Sequence, residues 1–171
     1  MPAADRAACE ADVRELARLV RTASLDLMTA TYPDATAKEL SGQCLLCIET
    51  AARRLTNYRQ CGNATTAMWE VHQAIEKVLK LYIRQHGTRP PFIHEVRELV
   101  KHAQLVGSLH VDNALLAKMP KQGAAIALRA GERLAGALLE LMDVYRSGLR
   151  LLVQITSVLN DVFRCTMSRF S

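Results

Sequence analysis

Basic residues recur at helical spacing in the middle of the chain, where they could bind a phosphate group. Lys77, Lys80 and Arg84 fall on nearly one side of a predicted helix over 66–86, and Arg89 and His94 follow it. A guanidinium can hold a phosphate through two parallel hydrogen bonds, and a histidine can donate another. Free backbone N–H groups at the start of the next helix would favour the same anion. We therefore predict an anion-binding groove between the exposed face of this helix and the start of the next one.

A second interpretation of the same face stays open, in which it is simply solvated. Gln73 lies on this face too and joins the predicted ligand-binding residues. Glu76 precedes Lys80 by four residues, an order that supports a helix through an ion pair without any ligand. Together with Glu95 and Glu98, it could neutralise the basic residues so that nothing binds.

The five cysteines offer a possible metal site, which the spacing disfavours. Cys44 and Cys47 form a CxxC that places both thiols on one side of a helix, and Cys61 and His72 could be proposed as further ligands. No second CxxC or HxxxH pair exists, and free cysteine often packs as a small apolar residue. We predict no metal and no cofactor. His72, at the edge of the apolar face, is expected to be a boundary residue with its hydrogen bonds satisfied.

Apolar periodicity predicts the helices that position these residues. They cover 3–30, 36–60, 66–86, Pro91 or Phe92 to Gly107, about 112–118, and 121–168 as one helix or two. The helix over 66–86 has the clearest pattern, with six apolar residues on one face: Met68, Val71, Ile75, Val78, Leu79 and Tyr82. The sequence thus predicts an all-α, antiparallel bundle of five to seven helices.

Turn and capping residues predict where these helices end. Gly87 is expected to end the third helix, Asp112 to cap a short helix, and Thr65 or Thr66 to cap the third. Gly148 is the one plausible break inside 121–168. Because a short proline-containing connector joins the third and fourth helices, we expect these two helices to lie antiparallel.

Composition limits the class of protein. Half of the 171 residues are hydrophobic, which predicts a packed interior, and the net charge of +5 is compatible with an anionic partner such as nucleic acid. The N-terminus has no apolar signal region, and no apolar run reaches the roughly 18 residues that span a bilayer. We expect a single domain over 1–171, located in the cytoplasm, with no membrane partner.

The stretch over 69–100 resembles the HEPN domain (higher eukaryotes and prokaryotes nucleotide-binding). The resemblance extends over about residues 49–106, with a HEPN-like core over about 36–106 and C-terminal helices over 121–168. A helix reading Q-A-x-E-K-x-L-K is followed by a glycine turn, a proline connector and a His-acid pair, here Gln73, Ala74, Glu76, Lys77, Leu79, Lys80, Gly87, Pro90 or Pro91, His94 and Glu95.

The resemblance implies a helical module, often dimeric, with roles that range from RNA-cleaving toxins to non-catalytic binding modules. We predict a non-catalytic module that binds a nucleotide, RNA or protein partner, with a toxin–antitoxin or defence system as one setting for it. Catalytic members carry Arg-x4-6-His on a late helix, in which histidine transfers a proton and arginine holds the phosphate. Arg89 and His94 have this spacing but lie in an early connector, which leaves a metal-independent endoribonuclease as the alternative. A helical protein-interaction domain without a nucleotide ligand is the third hypothesis.

The C-terminal segment predicts self-association. Apolar residues over 138–155 spread around more than one face of the predicted helix. Because a helix that is apolar on most sides must be buried on most sides, we predict a homodimer formed through the C-terminal helices.

Overall fold

The computed structural model describes residues 3–56, 63–121, 123–124 and 138–159. Within these ranges the chain forms six helices and no strand, which confirms the all-α fold class. The helices are α1 (Ala3–Thr29), α2 (Ala35–Thr56), α3 (Asn63–Gln85), α4 (Val96–Val106), α5 (Asn113–Lys118) and α6 (Leu138–Ser157). The parts of the predicted helices that fall on 57–60, 125–137 and 160–168 lie outside the described residues.

Helix α3 is the centre of the bundle, because it packs against α2, α4 and α6. All six residues of its predicted apolar face are buried, which confirms the predicted packing. Leu81 and Ile83 are buried as well, so apolar contact extends further around α3 than the pattern indicated. Helix α1 packs against α6 and α2, and α5 packs against α6.

Helices α2 and α3 run antiparallel, as two ion pairs between them show. Asp34, just before α2, pairs with Arg84 near the end of α3 at 2.6 Å. Arg54, near the end of α2, pairs with Glu70 in the first part of α3 at 3.6 Å. The start of α2 therefore lies beside the end of α3, whereas the predicted groove lay between α3 and the start of α4.

Helix α4 begins later than predicted. The expected start at Pro91 or Phe92 is wrong, because Glu95 has extended backbone angles (φ −78°, ψ 114°) and the first helical residue is Val96. Proline suits the first turn of a helix but does not require one to form there. Ile93 packs against the core instead, which holds this segment as an irregular connector.

The predicted antiparallel arrangement of α3 and α4 is also wrong. His94 bonds to Glu76, in the middle of α3, so the connector runs back along α3 before α4 starts. Gly107, at the end of α4, lies beside the side chain of Tyr82, close to the end of α3. Helix α4 therefore runs in the same direction as α3. The reason is the extended connector, whose residues advance about twice as far as helical residues do.

Two predicted helix boundaries are corrected. Gly148 does not break the C-terminal helix but lies buried within α6, where an added Cβ would come within 2.6 Å of Cγ1 of Val71. This glycine allows α6 to approach α3 closely. Thr65 and Thr66 do not cap α3, since both lie inside the helix and Thr65 is buried.

Two other boundaries are confirmed. Gly87 follows α3 with a φ of 75°, the left-handed conformation that favours glycine after a helix. The Asp112 side chain accepts a hydrogen bond of 2.8 Å from the backbone N–H of Ala114, which caps α5.

Helix α6 buries many of its apolar residues within the chain. Leu149, Leu151, Leu152 and Ile155 have no exposed surface, and α1, α3 and α5 all pack against the helix. Leu141, Met142, Val144 and Val153 are only half-buried, so part of the apolar surface that suggested a dimer stays accessible. None of the helices over the described ranges combines the length and apolar character needed to cross a membrane.

Candidate functional site

The polar residues of α3 meet at one carboxylate, that of Glu76, which has no exposed surface. Its Oε1 accepts a hydrogen bond of 2.8 Å from Nζ of Lys80 and lies 2.9 Å from Nδ1 of His94. Gln73 donates to Oε2 over 3.4 Å. Three residues predicted to bind a ligand therefore surround a buried acid, and Glu76 neutralises part of the basic face, as the second interpretation of that face required.

Two opposing effects set the pKa of the Glu76 carboxyl. Burial raises it, but the hydrogen bonds and charges of Lys80 and His94 outweigh burial and hold the pKa below its ordinary value. Glu76 is therefore an anion at neutral pH. Its charge ties the connector to α3 and fixes the orientation of the His94 ring.

His94 is held by one ring nitrogen and open at the other. Since a carboxylate can only accept, Nδ1 carries the proton that it donates to Glu76, and in the neutral form of the ring the Nε2 lone pair is available. The side chain is 50% exposed, and its ring meets that of Phe92 edge to face with the ring centroids 5.5 Å apart. A carboxylate that orients a half-exposed histidine is an arrangement that supports proton transfer.

A groove of about 540 Å³ lies between the connector, α3 and the start of α2. Three predicted ligand-binding residues line it: Lys80, Arg84 and Arg89. The other lining residues are Thr36, Leu40, Pro90, Pro91 and Phe92. The connector forms one wall of this groove because it runs back along α3.

Arg84 is already paired with an acid at the edge of the groove. Its Nε donates to Oδ2 of Asp34 at 2.7 Å, and Oδ1 of Asp34 accepts from the backbone N–H of Ala37 at 2.8 Å. These hydrogen bonds, the backbone one first, hold the pKa of Asp34 below its ordinary value. Asp34 is thus an anion of the protein itself that caps α2 and orients Arg84 at the edge of the groove.

Lys77 and Arg89 differ in their surroundings. Lys77 does not line the groove, and its charge acts instead on the Cys47 thiol of α2. Arg89 is exposed on the connector and lines the groove, and no acidic partner is found for it among the described residues. Arg89 is therefore the cation of the predicted set that is most available to a ligand.

His72 is a buried residue that the sequence pattern misjudged. It is not a satisfied boundary residue, since only 2% of its surface is exposed and neither ring nitrogen has a hydrogen-bond partner. Its ring stacks on that of Trp69 with the centroids 6.0 Å apart. Burial, opposed by the charges of Glu76 and Glu95, lowers the pKa of His72 below its ordinary value.

We expect His72 to make the protein less stable in mild acid. Because its pKa is lowered on folding, the unfolded chain binds the proton more readily. The stabilisation of the folded state by neutral His72 is fully present above about pH 6.5, the ordinary pKa of histidine. This part of the free energy of unfolding is lost as the pH falls below that value. Urea unfolding at a series of pH values should show a smaller loss between neutral and mildly acidic pH in His72→Phe than in wild type. Identical pH profiles would contradict this assignment.

The CxxC pair shows no feature of a metal site. Cys44 is buried and its Sγ donates to the carbonyl of Ala74 at 3.4 Å, while burial raises the pKa of the Cys47 thiol to about 11. Over the described ranges, no group of three or more His, Cys, Asp or Glu residues is placed to hold a metal ion. Cys61 lies outside the described residues.

The architecture and the site define a helical module in which polar residues meet on one central helix and its connector. Comparison with protein families gives the class: the model of the HEPN domain matches residues 47–119. This match confirms the resemblance to the HEPN family over that segment. The matched segment includes every predicted site residue. Neither the curated proteins nor the solved structures include a significant match.

Proposed function

We propose that this chain is a non-catalytic HEPN module that binds the phosphate of a nucleotide or RNA in the groove beside Arg89. The observation that supports the proposal most strongly is the position of Arg89, an exposed cation on the groove with no acidic partner among the described residues. Lys80 and Arg84 lie on the same groove. Three cations around one concave surface raise the local concentration of an anionic ligand.

The hydrogen-bonding capacity of the two paired cations supports the same conclusion. An ammonium has three N–H donors and a guanidinium five. Lys80 uses one donor on Glu76, and Arg84 directs Nε and one terminal nitrogen at Asp34. Both therefore retain donors for a phosphate, while their acidic partners hold them in position.

We expect Arg89→Ala to weaken binding of a labelled single-stranded RNA about tenfold or more, because a charge-assisted hydrogen bond to phosphate is lost. The slope of log K against log salt should also fall by about 0.7. Fluorescence anisotropy over a salt series measures both quantities. Arg21→Ala is the matched control, since it removes the same charge from an exposed position on α1. Equal losses in the two variants would indicate a general charge effect and contradict the groove.

A metal-independent endoribonuclease is the second candidate, and the His94–Glu76 pair favours it. Nε2 of His94 is available to take a proton, Glu76 can stabilise the protonated ring, and Arg89 lies on the same connector. The same preparations decide between the candidates. RNA cleavage that is lost in both His94→Ala and Arg89→Ala would establish the nuclease, whereas binding without cleavage supports the non-catalytic module.

Self-association and cellular role form the rest of the proposal. HEPN domains often dimerise, and a homodimer through the C-terminal helices stays a prediction, in which the half-buried Leu141, Met142 and Val144 of α6 could take part. Leu25 and Met28 of α1 are further exposed apolar residues that could take part. A protein partner, a cytoplasmic location and a toxin–antitoxin or defence role likewise remain predictions.

A further inference from the structure

Phe92 is a large apolar side chain that the fold leaves almost entirely in solvent. It is 93% exposed, whereas its neighbour Ile93 packs against the core. Folding gains no burial from the Phe92 ring at this position. The ring lies on the rim of the groove whose other lining residues include Lys80, Arg84 and Arg89.

The ring is also held in a defined place. Pro90 and Pro91 restrict the backbone immediately before it, and the edge-to-face contact with His94 restrains the ring itself. His94 is in turn bonded to Glu76 on α3. The Phe92 ring is therefore restrained beside a cluster of cations, through its contact with His94 and the bond from His94 to Glu76 on α3.

An aromatic ring next to cations is the arrangement that binds unpaired bases, because the ring stacks on the base while the cations contact its phosphate. A base inside a duplex has both faces covered by its neighbours and cannot stack on a protein side chain. The groove is open at its rim, where Phe92 lies, so a strand could continue beyond the nucleotide that it holds.

We propose that Phe92 is a stacking platform for an unpaired base, and that the ligand of the groove is a single-stranded nucleic acid. This inference rests on the proposed function, since it assigns the ligand class of the same groove. It adds a requirement that phosphate binding alone does not impose: the ligand must present a free base face next to a phosphate.

The test compares three ligands and two variants of Phe92. The ligands are a single-stranded RNA of about eight nucleotides, a duplex of the same sequence, and inorganic tripolyphosphate as a competitor. Phe92→Leu removes the aromatic ring but keeps an apolar side chain, and Phe92→Trp keeps an aromatic ring. Leu105→Trp is the matched control, because Leu105 is exposed on α4 and does not line the groove.

We expect Phe92→Leu to weaken binding of the single strand by about 5- to 150-fold, the range for loss of one stacked base. The inhibition constant of tripolyphosphate should change less than twofold in Phe92→Leu, because that ligand has no base. Single-stranded RNA should quench the added tryptophan fluorescence of Phe92→Trp, and tripolyphosphate should not. Leu105→Trp should show no quenching with either ligand.

Several results would overturn the inference, and they are distinguishable from failure of the proposed function. If wild type binds the duplex as tightly as the single strand, or Phe92→Leu binds the single strand like wild type, the stacking platform is wrong while the phosphate groove stands. If wild type binds neither RNA nor tripolyphosphate at low salt, both proposals fail.

Discussion

Leu79→Ala is expected to lower the free energy of unfolding by about 2–5 kcal/mol, the usual cost of removing a buried leucine side chain. Leu79 has no exposed surface and belongs to the central helix, α3. This loss of stability has two parts. The substitution removes apolar surface that folding buries away from water, and it leaves a cavity that the neighbouring helices cannot fully close. Ile75→Ala should behave similarly, because Ile75 is equally buried on the same face.

Leu105→Ala is the control for this measurement. It makes the same chemical change on another helix, at a side chain that is 82% exposed, so stability should change by no more than about 0.5 kcal/mol. Urea unfolding of wild type and variants gives each free energy. A loss in Leu79→Ala no larger than that in Leu105→Ala would show that α3 is not the centre of the packed bundle.

Glu76→Ala should lower the free energy of unfolding by about 1.5–3 kcal/mol, although it removes no apolar contact of comparable size. The substitution leaves the almost buried ammonium of Lys80 without its partner and releases His94 from α3. Because the connector is then no longer tied to the central helix, we also expect faster proteolysis near Arg89. Glu76→Gln keeps the side-chain volume and one acceptor oxygen, so it should lose less stability than Glu76→Ala.

Glu49→Ala provides the matched control for Glu76→Ala. Glu49 also pairs with a basic residue four positions later, Arg53, but that pair lies at the surface, where such pairs contribute about 0.3–0.5 kcal/mol. If the two variants lose equal stability, Glu76 is only a surface-type helix pair and does not organise the site.

The dependence on pH follows from the lowered pKa of Glu76. The folded state holds this carboxyl ionised more strongly than the unfolded state does. Its contribution to the free energy of unfolding is therefore fully present above about pH 4.5, the ordinary pKa of glutamate, and is lost as the pH falls below that value. Glu76→Gln should therefore lose less stability than wild type on acidification through this range. Equal acid profiles would show that the carboxylate is not stabilised by Lys80 and His94.

Local patterns were sufficient to predict much of the fold. The six apolar residues of α3, the glycine after it and the aspartate cap of α5 depend on neighbours within a few positions, so the sequence displays them directly. The start of α4 and the place of Gly148 depend on contacts with other helices. Gly148 breaks no helix because its missing side chain accommodates Val71 of α3, a contact between residues far apart in the chain.

The candidate site was predicted in its residues and only partly in its geometry. Lys80, Arg84 and Arg89 do share a groove, but Gln73, Lys80 and His94 are drawn to Glu76. Helical spacing gave Glu76 and Lys80 as a pair, and it could not show that the connector would return along α3 and bring His94 to the same carboxylate. The extended run around two prolines was the signal for that return, since such a run cannot make a compact turn between antiparallel helices.

The exposure of Phe92 also lay beyond sequence reasoning. The sequence predicts that the fourth helix begins at Pro91 or Phe92, and nothing in that pattern indicates that the Phe92 ring is exposed. That prediction is wrong, because the first helical residue is Val96. An aromatic ring beside the basic residues then becomes part of the site.

The most direct test of the account is to locate the bound ligand on the protein by backbone-amide NMR, with isotope-labelled wild type titrated with a short single-stranded RNA at low salt. We expect the largest shift changes on the lining of the groove, at the amides of Thr36 and Leu40 in α2, Lys80 and Arg84 in α3, and Arg89 and Phe92 in the connector. Saturating RNA that leaves these amides unchanged, or that shifts mainly α1 and α6, would contradict a binding site at this groove.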